Sequence, residues 1–509
     1  MSTTRTWAVA ITGVDGHLVE VEADLSNQTP DFKIIGLPDK SLGEAVQRVH
    51  NACKNAGLDL PRRRLTVNLS PASLPKHGSS FDVAIAVAAL AAGDAVSRRS
   101  IRDTVHIGEL GLDGRLRPVP GVLPAVFAAA RAGFERVIVP RANETEARLV
   151  PGIEVRAAGS LAEVAVWHGA EIEIPDFTPV ENPPANEDAA EPLDLSDVVG
   201  QESAVEALVV AAAGGHHLLL SGPPGAGKTM LARRLPGILP ALTEEEALEV
   251  ASIRSLTGEP VSALDATPPI ETPHHSASVA ALVGGGSKVA RPGAIVRAHR
   301  GILFLDEAAE FSRIALDALR QPLESGQIEV SRAGFTARYP ARFQLVLAMN
   351  PCPCGNYGVR GAECMCPPAS IRRYATRLSG PLRDRVDIEL QVARVAASRA
   401  TSGTRSEPDT ATGRKMVAVA RGRAAERWSR TPWSRNADVP GTWLRQGEFR
   451  LDGAVRAPLD RALERGVLTL RGYDRVLRIA WTMADLAGRD RPVADDIGRA
   501  LHLKRGMAL

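Results

Sequence analysis

Short stretches of the chain carry residue types at spacings that suit phosphate chemistry. Gly222-Pro223-Pro224-Gly225-Ala226-Gly227-Lys228-Thr229 follows the G-x-x-x-x-G-K-[ST] pattern of a phosphate-binding loop. Glycines let backbone N–H groups turn inward around phosphate oxygens, where a Cβ would block them. Lys228 suits the β- and γ-phosphates, and the Thr229 hydroxyl suits Mg²⁺. Further on, Gly301-Ile302-Leu303-Phe304-Leu305-Asp306-Glu307 is an apolar run ending in two carboxylates. Asp306 at its tip can hold Mg²⁺ through water, and Glu307 can polarise an attacking water. Phe343 to Asn350 is another apolar run, ending in an amide suited to touch a γ-phosphate or the lytic water. Ser379-Gly380-Pro381-Leu382-Arg383-Asp384-Arg385-Val386-Asp387 supplies arginines just before a strand. Arg385 is the candidate for a finger that neutralises a neighbouring subunit's γ-phosphate, with Arg383 its rival. The structural alternative for Arg385 is an ion pair with Asp384 or Asp387. ATP with Mg²⁺ is the cofactor pair this set implies, and hydrolysis is the expected reaction.

Cys352, Cys354, Cys364 and Cys366 are a second chemical cluster. Four thiolates can bind Zn²⁺ tetrahedrally, although C-x-C is tighter than the usual spacing of about two to four residues. Zn²⁺ and reduced free thiols both remain open readings. A catalytic metal is excluded, because four thiolates leave no open position. Cys53, alone near the N-terminus, reads as a small buried hydrophobe.

The elements that must position these groups are legible around them. His217 to Leu220 reads as a buried strand before the loop, and Met230 to Leu235 as a helix after it. Residues 1–170 alternate strands and helices. Ser41 is expected as N-cap of a helix reaching Ala56, and Ser80 as the cap of an Ala-rich helix from Phe81 to Ala92. From Glu171 to Asp197 there are nine acidic residues, no basic ones and several prolines, an extended solvated connector. Ile328 to Tyr339 reads as a hairpin turning at Ala333-Gly334, with Arg332 and Arg338 as candidate phosphate contacts or merely solvated arginines. The helix from Met416 to Arg430 carries Arg421, Arg423, Arg427 and Arg430, a candidate nucleic-acid face. Leu468 to Leu486 has helical apolar spacing, and a final helix is expected from Val493 to Leu503.

Several of these stretches resemble known families. Pro75-Lys76-His77-Gly78-Ser79-Ser80 and the Gly108–Gly121 segment resemble the proteolytic domain of the Lon family. That resemblance puts Ser80 at the nucleophile position and the lysine position near Ala125. No Lys lies between Gly108 and Ala142, so a Ser–Lys dyad is not available and a protease-like fold without peptidase activity is expected. The Asp197-Val198-Val199-Gly200-Gln201 segment ahead of the loop resembles the adenine-side element of AAA+ ATPases. Thr272 to Ser278, Ala281 to Gly286 and Asn350-Pro351-Cys352-Pro353-Cys354-Gly355 resemble the magnesium chelatase-like AAA+ family called YifB or ComM. Gly36-Leu37-Pro38-Asp39-Lys40 and Val67 to Ala72 do so as well. This resemblance implies a homo-oligomeric ring, a hexamer, that hydrolyses ATP while acting on branched or single-stranded DNA. It further implies a branch-migration helicase used in recombining incoming DNA. The alternative is a chelatase-like motor subunit or a remodeller of a protein partner. The resemblance also implies that Arg471 is a second sensor aimed at the nucleotide, with Arg475 and Arg478 as fallback choices, and that the Ile328–Tyr339 hairpin faces a central pore.

Composition fits this layout. The 509 residues are 44% hydrophobic with net charge +2, so total charge points to no particular partner. The reading has no membrane span, no secretory leader and a cytoplasmic location. The expected fold class is α/β. A Lon-protease-like, ribosomal-S5-like α+β domain occupies 1–170, and the acidic linker 171–194. An AAA+ P-loop domain with the Cys cluster occupies 195–395, and an α-helical lid 396–509.

Overall fold

The computed structural model describes residues 3–36, 44–176, 178, 180, 193–285, 291–332, 335–359, 361–395 and 408–505. The first unit is built on a seven-stranded sheet ordered β3-β4-β2-β1-β5-β8-β9. Its strands are β1 (Thr4–Thr12), β2 (Asp15–Ser26), β3 (Asp31–Ile35), β4 (Arg64–Ser70), β5 (Thr104–His106), β8 (Arg136–Pro140) and β9 (Glu154–Ala158). A small antiparallel pair, β6 (Glu109–Leu110) and β7 (Leu116–Arg117), leads into helix Val122–Arg131. β4 alternates half-buried and buried positions, as period-2 patterning requires of a strand with one face on the core. Helix Asp82–Ala92 is buried at every position, which its Ala, Val, Ile and Leu content permits.

One local expectation changes here. Ser80 does not cap helix Asp82–Ala92; Phe81 occupies that position and no side chain caps it. The Ser80 carbonyl instead accepts from Gly108 N–H at 3.0 Å, so the turn is closed by backbone. The neighbouring Ser79 hydroxyl donates to the Glu109 carboxylate. The helix expected from Ser41 is described from Ala45, with Glu44 as an unassisted cap, and residues 37–43 with Ser41 lie outside the described residues. Ala125 is buried in helix Val122–Arg131. The lysine beside the serines, Lys76, is fully buried and donates to the carbonyls of Gly36 and Pro71.

The second unit is built on a five-stranded sheet ordered β11-β14-β17-β10-β18. Here β10 is Leu218–Ser221, β11 Ile270–Glu271, β14 Ile302–Leu305, β17 Gln344–Met349 and β18 Ile388–Gln391. Every pairing is parallel. Parallel sheets are covered on both faces, and β14 and β17 are accordingly buried at every residue. Two hairpins leave this layer: β12 (Gly284–Gly285) with β13 (Arg291–Pro292), and β15 (Gln327–Arg332) with β16 (Phe335–Pro340). The second is the hairpin expected from the sequence; its turn, 333–334, lies outside the described residues.

Helices Thr410–Arg427, Gly453–Glu464, Leu470–Leu486 and Ala494–Arg505 form the C-terminal part. A short helix, Gly441–Arg445, lies between the first two of these. The basic helix is not a free nucleic-acid face. Arg421 donates twice to Ala212 O, Arg423 donates to Asp485 O, and Arg427 pairs with the Asp485 carboxylate while lying 4.5 Å over the Trp481 ring. Three of the four arginines thus dock the helix onto its neighbours, because Asp485 and the C-terminal end of helix Glu202–Gly214 need donors. Arg430 is exposed.

The two sheets are joined through helix Glu244–Thr257. Ser255 accepts Gly121 N–H on its carbonyl at 2.9 Å and Leu123 N–H on its hydroxyl at 3.3 Å. Gly13, in the β1–β2 turn, packs on the backbone of Arg338 in β16 so closely that a Cβ would lie 2.1 Å from that carbonyl oxygen. Among the described residues no helix is long and apolar enough to cross a membrane.

Candidate nucleotide site

The loop between β10 and helix Lys228–Ile238 is held open by glycine. Gly225 and Gly227 have φ of +74° and +88°, left-handed values that other residues adopt at a cost. A Cβ at Gly225 would meet nothing within 4 Å, so its backbone conformation rather than crowding favours glycine there. Gly222 has the opposite reason: a Cβ there would lie 2.2 Å from Val392 O.

Strand register brings the sequence-predicted groups to one edge of the sheet. β10, β14 and β17 run parallel, so Asp306 and Asn350, which follow β14 and β17, emerge beside the loop that follows β10. Lys228 Nζ donates to Asn350 Oδ1 at 3.0 Å and to the carbonyls of Gly222 and Pro223 at 2.7 and 2.9 Å. Burial lowers the Lys228 pKa from its usual value, while Asp306 and Glu307 oppose that shift. Thr229 Oγ1 donates to Asp306 Oδ2 at 2.6 Å, so the hydroxyl and carboxylate suited to one Mg²⁺ already share a site. Gln201, from the segment ahead of the loop, donates to Ala226 O at 2.7 Å and buttresses the loop from behind.

Glu307 is beside this group, in the left-handed conformation at φ 50°, ψ 43°. Its backbone N–H donates to Asp306 Oδ1 at 2.9 Å, and its carboxylate lies 3.1 Å from His275 Nδ1. The His275 contact is absent from the sequence reading, where the residue stood only inside a family-like stretch. Its one signal there is proximity in chain to β11, the strand beside β14.

Arg385 is paired with neither Asp384 nor Asp387; it pairs with Glu324 and donates to Pro381 O. Its Nε is buried without a partner. Burial, together with repulsion from Arg320, Arg471 and Arg475, lowers its pKa from the usual arginine value. An anion would relieve that crowding of positive charge. Arg383 is held by both oxygens of Glu389. Arg471 is 74% exposed, 3.9 Å from Asp384. The fallback residues are committed elsewhere: Arg475 to Asp387 and Arg478 to Val439 O.

The cysteines converge. Cys352 Sγ lies 3.4 Å from Cys354 Sγ and 3.7 Å from Cys364 Sγ, and Cys354 lies 3.7 Å from Cys364. All four sulfurs fall within 4.8 Å of one another. Cys53 is buried and its thiol is pushed up to about 12 by desolvation, as expected of a packed thiol. In the β15–β16 hairpin, Arg338 is exposed and pairs with Glu329 at 2.8 Å; the Arg332 side chain lies outside the described residues.

Comparison with known proteins agrees with this arrangement. Models described as "Magnesium chelatase, subunit ChlI", "Subunit ChlI of Mg-chelatase" and "Magnesium chelatase, subunit ChlI C-terminal" match residues 194–400, 21–143 and 407–504. The competence protein ComM of Haemophilus influenzae is 40% identical over 98% of this chain and 97% of its own length. The chain belongs to the magnesium chelatase-like YifB/ComM family of AAA+ proteins. Escherichia coli YifB is 39% identical over 94% of the chain and 93% of its own length. An uncharacterized protein of Mycobacterium tuberculosis is 50% identical over 99% of each. Family membership and the loop geometry thus point to the same chemistry at one sheet edge.

Proposed function

We propose that this family member is an ATP-hydrolysing ring motor, a hexamer, that acts on DNA as a branch-migration helicase in recombining incoming DNA. The observation that carries the ATPase reading is the joint placement of Lys228 with Asn350 and of Thr229 with Asp306. In this reading the loop N–H groups and Lys228 bind the β- and γ-phosphates. Thr229 and Asp306 hold Mg²⁺, which neutralises charge developing on the phosphates. Glu307 accepts a proton from the attacking water, and Asn350 orients that water. Arg385 acts across a subunit boundary, which is why the unit of function is a ring; the crowded cations around it support an anionic partner. Arg471, exposed at the start of helix Leu470–Leu486, turns toward the nucleotide when the lid closes. The four cysteines hold Zn²⁺.

The DNA reading rests on the likeness to a protein named for competence and on the two hairpins that branch from the second sheet's layer. Its test is the ATPase rate with no DNA, single strands, duplex and a four-way junction. Stimulation greatest with the junction and falling as salt rises supports the proposal. A rate unchanged by every DNA refutes it. That outcome favours the second reading, a chelatase-like motor acting on a protein partner, which the chelatase-subunit models matching three segments of the chain support.

A further inference from the structure

The cysteine loop is not a remote staple. It leaves β17 just before Asn350, and its first residues touch the phosphate-binding loop. Met349 O accepts Gly222 N–H at 3.2 Å, and Asn350 Oδ1 accepts from Lys228 at 3.0 Å. Gly355 then packs on Pro224, so tightly that a Cβ at 355 would lie 2.4 Å from Pro224 Cδ. Gly355 has φ +80°, and its N–H closes a turn onto Cys352 O at 3.0 Å. The turn that carries the first two cysteines is therefore the turn that presses on the loop.

The sulfur geometry suits a metal. Four thiolates at about 2.3 Å from a tetrahedral Zn²⁺ lie about 3.8 Å apart; the sulfurs of Cys352, Cys354 and Cys364 are 3.4 to 3.7 Å apart, and all four lie within 4.8 Å. Cys352 is fully buried, and Tyr357 N–H points at its sulfur at 3.3 Å, the kind of outer hydrogen bond that fixes a thiolate ligand. The other two cysteines come from the far end of the loop, Cys364 and Cys366. Among the described residues, the far end is otherwise tied to the near one by Asn356 Nδ2, which donates to Glu363 O at 3.3 Å.

We propose that Zn²⁺ on Cys352, Cys354, Cys364 and Cys366 is a clasp that sets the wall of the nucleotide site, so that metal occupancy controls nucleotide affinity. This rests on the reading that the loop binds ATP. Metal loading locks the Cys352–Gly355 turn, which holds Gly355 on Pro224 and Asn350 on Lys228. Loss of metal frees the turn, and the loop loses two of its supports. Coupling between two sites is reciprocal: whatever factor Zn²⁺ adds to nucleotide affinity, nucleotide adds to Zn²⁺ affinity.

The experiment uses the full chain. Zinc per chain is measured by elemental analysis, the Kd of a fluorescent ATP analogue by titration, and zinc release to a competing chelator with and without ADP. The expected results are about one zinc per chain and about a fivefold or greater rise in Kd after zinc removal, the lower end of usual coupling between sites. ADP should tighten zinc retention in the same direction. Cys364→Ser and Cys366→Ser should reproduce the metal-free Kd. Gly355→Ala should keep its zinc yet weaken nucleotide binding, which holds the proposal open to test where the serine variants fail to fold. A zinc-loaded chain whose Kd is unchanged by zinc removal overturns the clasp and leaves the metal site standing. A chain that neither contains nor takes up zinc overturns both. Failure of the native, zinc-loaded chain to bind nucleotide overturns the ATP reading itself.

Discussion

Glu307 is the group most exposed to a single-residue test, because His275 occupies it. A glutamate that activates water needs a free carboxylate lone pair, and His275 Nδ1 lies 3.1 Å from one oxygen as a close polar contact. These side chains are 36% and 56% exposed, so water screens the contact and about 1 kcal/mol is its upper figure. That restraint corresponds to at most about a fivefold population of the held state. His275→Ala should therefore raise kcat without DNA by up to about fivefold and leave the KM for ATP unchanged, since His275 touches the carboxylate and not the loop. His275→Gln, which keeps a donor, should stay closer to the parent. The restraint also has a sensible location. Residue 275 lies in the insertion between β11 and β14, whose base is closed by the Glu271–Arg297 ion pair and which carries the β12–β13 hairpin. A ligand pulling on that hairpin can draw His275 off Glu307, so DNA stimulation should shrink in His275→Ala while the DNA-saturated rate stays the same. The assay is steady-state phosphate release with and without DNA. A fall in DNA-free kcat at constant KM would refute the reasoning and make His275 a group that orients Glu307 for attack.

Lys228→Ala should abolish hydrolysis and leave the circular dichroism spectrum intact, since the ammonium serves loop carbonyls and Asn350 rather than the apolar core. Arg385→Ala should lose hydrolysis but bind nucleotide, and mixing it with Glu307→Gln subunits should restore part of the rate; no restoration in mixtures argues for action within one subunit. Arg427→Ala leaves the buried Asp485 carboxylate with the Asn436 amide but without its cation and should cost about 3 kcal/mol in denaturant titration, with no change in DNA affinity beyond that from unfolding. His168, His216 and His217 are held down at about 4 by burial, against an ordinary 6.5. Their unfolded forms bind the extra protons, so stability is complete above about pH 6.5 and drains away as pH falls toward 4. Thermal midpoints should accordingly drop between pH 6.5 and 5, and a midpoint that is flat through that window would contradict the burial argument.

What the sequence disclosed and what it hid have a common cause. The phosphate loop, the Asp306-Glu307 tip and Asn350 are legible because each is local: a short apolar strand followed by the group it aims. Parallel register then places the tips together with no further information. The β15–β16 hairpin was legible for the same reason, its Ala333-Gly334 turn falling between two alternating runs. The lid arginines were not. Arg421 finds its acceptor 209 residues away and Arg427 finds its own 58 residues away, and no spacing rule reaches that far. A charge pattern alone cannot separate a docked arginine from a DNA-facing one. Ser80 failed at a finer scale. A one-residue change in the phase of the turn before helix Asp82–Ala92 put Phe81 at the cap and gave the polar contact to Ser79. His275 had no visible partner in the sequence, since the pairing of β11 with β14 is what carries it to Glu307.

The first unit is also wired to this tip. Its helix Val122–Arg131 is received by Ser255, near the C-terminal end of helix Glu244–Thr257. The same helix presents Glu249 to His299 and Arg300, at 3.0 and 2.9 Å, and Glu246 to Arg300 at 3.0 Å. Glu249 is held at about 2 by those partners, His299 foremost, so it is ionised and the cluster is a firm joint. Arg300 sits in the left-handed region at φ 61° just before β14, a conformation that persists only where surrounding contacts fix it. β14 then runs without interruption to Asp306 and Glu307. A contact route from the first unit to Asp306 and Glu307 therefore runs through one helix, one charged joint and one buried strand. Breaking the joint with Glu249→Gln should leave nucleotide binding intact while changing kcat, and equal losses in both would mean the joint serves folding alone.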